Sequence, residues 1–233
     1  MGNAFVYMFS DRTFGIKFFC IFLIVLVTLL IGNFSNNNPI MISGIIAGTC
    51  GIITLGHFIE CINSVKISID KVYLPFISIK TLWVGIKASI GALLLNTITG
   101  IISVFTLYIP AIIIALFSPA LLSIFSDDYK IKSYFAFDKC FCIIKNDFWK
   151  YFITLLALIF YTTFITTGMF LLFNKLGIKP EDLLTSGNIT LNIFTVAIFT
   201  AFVYAYNLYV FAFWIGDLYK LHRYDTEEEY FRH

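Results

Sequence analysis

Apolar residues run almost unbroken over positions 18–32, 40–61, 84–126, 151–173 and 191–215, with short polar clusters between them. A helix crossing the hydrocarbon core takes about 20 mostly apolar residues, so four of these runs are one span each. The run 84–126 would be about 64 Å long as one helix, twice the core thickness. It must therefore fold back, and Tyr108-Ile109-Pro110 is the natural place, because proline suits the first turn of a new helix. Six transmembrane helices are predicted. Two polar turns are expected between them, residues 33–39 with Pro39 and residues 174–190 with Gly177, Pro180 and Gly187.

The connectors carry a second pattern. Phe76, Ile79, Trp83, Ile86 and Ile90 recur at alternating steps of three and four, and so do Tyr134, Phe137, Phe141, Ile144 and Phe148. That spacing makes an apolar stripe on a helix, and charged residues elsewhere on the wheel point to helices lying in the membrane interface. Pro75 would open the first of them, and residues 3–15 form a weaker version. The expected fold is all-α: six spans as three hairpins, each preceded by an interfacial amphipathic helix. One membrane domain covers residues 1–217, and residues 218–233 form a charged, partly disordered tail.

Composition agrees with the pattern. The chain is 59% hydrophobic and 13% charged, with 27 phenylalanines, against roughly 45–50% and 25% in soluble proteins. Its mean hydropathy is +0.88. A soluble domain of this size could not bury that much apolar surface, and disordered chains are poor in such residues. A net charge of +2 is too balanced to imply nucleic acid.

The distribution of charge sets an orientation. Of the 16 lysines and arginines, only Lys175 and Lys179 fall on one side of a six-span threading, and all the others fall on the opposite side. The positive-inside rule then predicts both termini in the cytoplasm. Trp83, Trp149 and Trp214 sit at the predicted cytoplasmic span ends, where indole suits the headgroup layer. The first apolar run is read as a retained span, since Asp11 interrupts any signal-like start and no small-residue cleavage site follows.

Candidate chemistry is sparse. Gly44, Gly48 and Gly51 put a flat stripe on span two, and Ala88, Ala92, Asn96 and Gly100 put another on span three. Small faces let helices approach closely, and Asn96 can bond across the contact, so helix packing is the expectation; a dimer seam or a cavity lining are the alternatives. His57 and Glu60, at i and i+3, form a polar interfacial pair near the end of span two. It is expected to meet headgroups or a neighbouring helix, since a zinc hydrolase motif would need a second histidine. Beyond Glu60 and the boundary Lys87, no ionisable group is expected within a span, unlike ion-coupled transporters and pumps. Threonines and tyrosines are dense in spans five and six, where they either bond their own backbone or line a polar groove. Cys140-x-Cys142 lacks the spacing and partners of a zinc site. No metal, cofactor or catalytic residue is expected. Asn33-x-Ser35 and Asn188-x-Thr190 match the glycosylation acceptor but lie too near the membrane to be used.

Several landmarks resemble one family. Gly56-His57 closes span two, Leu74-Pro75 precedes an amphipathic stretch, and Tyr108-Ile109-Pro110 and Pro119-Ala120 follow. Then come the run from Asn146 to Tyr151 leading into span five and Gly216-Asp217-Leu218-Tyr219 after span six. In this order they resemble the domain-of-unknown-function family 4013, multi-span proteins of archaea and bacteria. His57 replaces the aromatic usual there. The layout is also similar, more distantly, to the membrane domain attached to some glycerophosphodiester phosphodiesterases. The resemblance implies a prokaryotic cytoplasmic-membrane protein and brings no catalytic residues.

Three functions stay open. The leading expectation is a non-enzymatic scaffold or accessory subunit of a membrane complex, partnered by membrane lipids and by other membrane proteins or itself. The alternative is a permease-like module for an apolar or zwitterionic substrate, using the hydroxyls of spans five and six with Asn96. The weakest is a lipid-headgroup enzyme built on His57 and Glu60.

Overall fold

The computed structural model describes residues 8–34, 40–68, 72–106, 108–146, 148–175 and 191–230. Both expected outer turns and both glycosylation acceptors lie largely or wholly outside the described residues, as does the start of the N-terminal amphipathic stretch. The described chain is helical, without strands: α1 (Phe14–Phe34), α2 (Ile40–Ile67), α3 (Ile79–Phe105), α4 (Ile109–Asp128), α5 (Phe137–Asn146), α6 (Phe148–Lys175) and α7 (Leu191–Tyr230). Short 3-10 turns cover Met8–Ser10 and Ile131–Phe135. Six of these helices, all but α5, are long and apolar enough to cross a membrane.

The run 84–126 folds back where expected. Helix α3 ends at Phe105, Tyr108 adopts the left-handed conformation (φ 63°), and Pro110 sits in the first turn of α4. Inside α4, Pro119 removes one backbone hydrogen bond from the ladder. The Tyr151 hydroxyl of α6 donates to the carbonyl of Leu116 beside this break.

The first expected interfacial helix does not form separately. Residues 72–78 are non-helical, and Ser78 starts α3 through a capping box in which Thr81 N–H donates to Ser78 Oγ and Ser78 N–H to Thr81 Oγ1. The ladder Ile79, Trp83, Ile90 is instead an exposed face of the spanning helix itself. Helix α5 does form in the second connector, with Cys140 and Ile143 buried and Phe137 and Phe141 exposed. Helix α7 continues past residue 217 to Tyr230.

Helix α2 is the centre of the bundle, packing against α1, α3, α4 and α7. It touches two cores. One gathers Phe14, Ile21, Cys61, Ile62, Val65, Ala205, Tyr209 and Phe213; the other gathers Ile59, Val84, Ala88, Leu121, Phe125, Tyr134 and Cys140. Helix α6 is peripheral, with only Tyr151 and Thr154 buried.

Close approach of α2 and α3 uses glycines other than the expected ones. A Cβ added at Gly56 would lie 2.0 Å from the Thr81 carbonyl oxygen, and one at Gly85 2.0 Å from that of Ile52. At Gly44, Gly48, Gly51 and Gly100 a Cβ would meet nothing within 4 Å among the described residues. Asn96 is exposed and Ala92 half-buried, while Ala88 is buried. The stripe therefore packs only at its Ala88 end, and a leucine at Gly48 has no described neighbour to displace. The reason is register: the helices touch half-way along α2, and the stripe lies on the far half.

Candidate functional site

Two polar features stand out, a belt of buried charge at the lysine-bearing end of the bundle and a cavity beyond it.

The belt is built on α2, whose polar residues each bond a different neighbour. His57 is fully buried and shares a 2.9 Å hydrogen bond with the Tyr209 hydroxyl of α7. Tyr209 is held in turn by edge contact with Phe14 of α1 at 5.3 Å. Glu60 accepts a 2.6 Å hydrogen bond from Thr81 Oγ1 in the first turn of α3, where the helix dipole favours an anion. Lys80, itself exposed, lies 3.8 Å away. Asn63 donates to the Tyr129 hydroxyl at 2.8 Å. Lys66 donates to the Ser123 carbonyl at 2.8 Å and pairs with Asp127, which places a cation at the C-terminal end of α4.

A second buried pair anchors the start of α1. Lys17 Nζ is 2.7 Å from Asp11 Oδ2, with both side chains 5% exposed. The pair serves both backbone groups of buried Leu74: its N–H donates to Asp11 at 3.0 Å, and its carbonyl accepts from Lys17 at 2.5 Å. Leu74 lies in the non-helical segment and has no ladder partner, so the ion pair answers a need that buried backbone always has. Burial by itself raises the Asp11 carboxyl, but hydrogen bonds from Lys17, Thr13 and Leu74 outweigh it and hold the group at about 2.

Of the two surroundings expected for His57 and Glu60, headgroups or a neighbouring helix, the structure shows the second: each is buried and bonded to a different helix. One expectation is corrected: Glu60 and Lys87 are not the only ionisable groups in the spans, because the helices extend past the apolar runs and include Lys17 and Lys66. Hydropathy ends a span at its first charge; a charge with a partner lets the helix continue. Replacing Tyr209 by Phe leaves His57 Nε2 with only the weak 3.5 Å contact to Cys61 Sγ, while Nδ1 is already unbonded. We expect a loss of about 2 kcal/mol in unfolding from detergent, and unchanged unfolding would show that the bond contributes nothing.

The cavity holds about 760 Å³ between α1, α2, α6 and α7. Thr28, Thr54, Phe58, Thr162, Thr166, Thr200, Tyr204 and Asn207 are among its walls, so the hydroxyl-rich faces of spans five and six do meet at one space. Asn96 is not part of it; it borders a separate 130 Å³ void with Ala92, Leu121 and Tyr134. Gly51 lines the large cavity. Below it, Tyr161 donates to Asn207 Oδ1 at 2.8 Å and packs edge-on against Phe211 and Trp214. Trp214 is therefore a packing residue between α6 and α7, its indole nitrogen buried without a hydrogen-bond partner, whereas Trp83 and Trp149 are exposed.

Among the described residues no three His, Cys, Asp or Glu side chains cluster in a way that could hold a metal. Cys140 is buried and Cys142 exposed. Burial, with the nearby Asp138 charge, pushes the Cys140 thiol up to about 12, far from the thiolate that redox or metal chemistry uses. Comparison with protein-family models, curated proteins and solved structures gives no match to this chain.

Proposed function

We propose that this multi-pass membrane protein is a non-enzymatic scaffold or accessory subunit in the cytoplasmic membrane of a prokaryote. In this reading its six spans form three hairpins, both termini are cytoplasmic, and α5 lies in the interface with Phe137 and Phe141 toward the lipid. Membership of the domain-of-unknown-function family 4013 belongs to the same proposal, with Tyr108-Ile109-Pro110 and Pro119-Ala120 as its landmarks. The observation that carries the reading is the engagement of the buried charges: Asp11, Lys17, Glu60 and Lys66 are each bonded within the chain, where their work is to join helices or to anchor the segment at Leu74 to the start of α1. The far half of α2, with Gly44 and Gly48 exposed, offers a flat face to another membrane helix.

The test is affinity purification in mild detergent after crosslinking in the native host, with copurifying proteins identified by mass spectrometry. A partner in near-stoichiometric yield supports the reading, and a clean monomer or self-oligomer overturns it. A second reading, a permease-like module, is favoured by the cavity. Its walls carry no Asp, Glu, Lys, Arg or His, so the substrate is apolar rather than zwitterionic. Reconstituted vesicles without flux of such compounds would remove it. The headgroup-enzyme reading loses the pairing on which it stood, since His57 and Glu60 serve different helices.

A further inference from the structure

We infer that the cavity between α1, α2, α6 and α7 is a binding site for a neutral amphiphile, an apolar chain carrying an oxygen acceptor of the carbonyl type. The assignment deepens the permease-like reading and rests on the same cavity, but binding does not require transport.

The threonine hydroxyls of the cavity wall behave in two ways. Thr28, Thr54, Thr162 and Thr166 donate to carbonyls of their own helices, those of Ile24, Cys50, Leu158 and Thr162, at 2.5–2.8 Å. They have no donor left for a ligand, and that part of the wall is apolar in effect. Thr200 departs from this pattern, because its hydroxyl is buried and has no hydrogen-bond partner. A buried donor left unbonded is an unfavourable arrangement that a ligand acceptor would relieve.

A second donor lies on the same face. Thr200, Tyr204, Asn207 and Phe211 follow one another at steps of four, three and four along α7, which puts them in one row. Asn207 uses its oxygen to accept from Tyr161, so the end of its amide that remains is the NH₂, a donor. Thr200 and Asn207 are about 10 Å apart along the helix axis. The site thus offers donors, lacks formal charge, and is otherwise apolar. A ligand with a charged group would find no counter-ion there, and a pure hydrocarbon would leave Thr200 unbonded.

Size and access agree. At about 760 Å³ the cavity falls within the roughly 300–1,000 Å³ typical of small-molecule sites. Thr162, Thr166 and Tyr204 are exposed, so the cavity opens beside the peripheral helix α6, at the depth of the spans, where the surroundings are lipid. Two sources supply this chemistry, a fatty-acyl ester and the ring of a prenylated quinone.

The test uses the full chain in nanodiscs and a methyl palmitate probe carrying a photoreactive diazirine. Unlabelled methyl palmitate and decyl-benzoquinone compete in parallel reactions, and the stronger competitor identifies the source. We expect saturable labelling of α6 or α7 peptides, weakened about tenfold in Thr200→Val, the worth of one hydrogen bond. Gly51→Leu fills the cavity from a position where a Cβ meets no atom within 4 Å, and is expected to abolish saturation without loss of fold. Thr163→Val, which removes a hydroxyl bonded to the Ile159 carbonyl outside the cavity wall, is expected to label as the unaltered protein does. Labelling that never saturates, or that in Thr200→Val and Gly51→Leu is unchanged from the unaltered protein, overturns the site. Saturable labelling with no vesicle flux removes the permease reading and leaves the site standing.

Discussion

Gly56→Ala is expected to be among the most damaging single substitutions in the chain, lowering stability in detergent by about 3 kcal/mol. The added methyl would sit 2.0 Å from the Thr81 carbonyl oxygen and 2.8 Å from the Gly85 nitrogen. Both are backbone atoms, which cannot swing aside as a side chain can. The helices α2 and α3 would have to separate, and Glu60 and Thr81, one turn along the same seam, would lose their 2.6 Å hydrogen bond. Gly85→Ala should do the same from the other side, where the Ile52 carbonyl lies 2.0 Å from the new atom. Gly48→Ala is the control. It lies on the same helix with open space around it, and a change within about 0.5 kcal/mol is expected. Denaturant unfolding of the three variants decides the matter; equal stabilities for Gly56→Ala and Gly48→Ala would mean that the α2–α3 contact is misplaced.

The second large effect belongs to Asp11. Removing it as Asp11→Ala leaves the Lys17 ammonium 5% exposed with the Leu74 carbonyl as its remaining hydrogen-bond acceptor, and it also strips the Leu74 N–H of its acceptor. Breaking a buried pair from one side costs about 3–5 kcal/mol. Lys17→Met should cost less, because the Asp11 carboxylate keeps its bonds from Thr13 and Leu74. The double variant should then be more stable than the sum of the two losses predicts, and the shortfall measures the pair. A simple sum would mean that the two charges act independently.

The same pair predicts a pH dependence. The Asp11 carboxyl is held at about 2 in the fold, against 3.8 as its ordinary value. A depressed carboxyl stabilises the folded state fully above its unfolded value, and that stability disappears as pH falls toward the folded one. Between about pH 4 and pH 2 the protein should lose about 2 kcal/mol through this group, and Asp11→Asn should flatten that part of the profile.

Much of the fold was legible because lipid imposes a simple rule. Five apolar runs became six helices, and Tyr108-Ile109-Pro110 marked the turn that divides the longest of them in two, because proline both ends and begins helices predictably. The helix ends were less legible. Lys17 and Lys66 look like the borders of apolar runs, yet both lie inside helices: Asp11 just before α1 pairs with Lys17, Asp127 at the end of the distant α4 pairs with Lys66, and a hydropathy profile shows neither pairing. The amphipathic ladder from Phe76 to Ile90 was a true helical signal over Ile79 to Ile90, but periodicity alone cannot distinguish a helix lying on the membrane from the exposed face of one crossing it. The capping pair Ser78 and Thr81 carried the distinction, as a cap marks where a helix begins.

The candidate site was half visible. The hydroxyl-rich faces of α6 and α7 were expected to bond their own backbone or to line a groove, and they do both: Thr162 and Thr166 border the cavity with their hydroxyls turned to helix carbonyls. Among the threonines of the cavity wall Thr200 is the one whose buried hydroxyl has no partner, which depends on a rotamer and a neighbour that no spacing reveals. Asn96 had looked like a partner of the same groove, but its helix faces the opposite side of α2. The glycine stripe illustrates the same limit. Gly44 and Gly48 have the spacing of a packing motif, and Gly56 lies two steps of four further along the same row; which of them touches a neighbour depends on the register between α2 and α3.

Six spans with their lysine-bearing ends gathered on one side underlie both the charge belt and the cavity, and vectorial labelling tests this arrangement most directly. Right-side-out and inside-out membrane vesicles are treated with an impermeant amine reagent, and the labelled lysines are identified by mass spectrometry. Lys80, Lys130, Lys139 and Lys145 are all exposed and should label together, from the cytoplasmic face, while Lys175 labels from the other. Labelling of Lys80 and Lys139 from opposite faces would contradict the six-span arrangement, and with it the placement of the charge belt and the cavity.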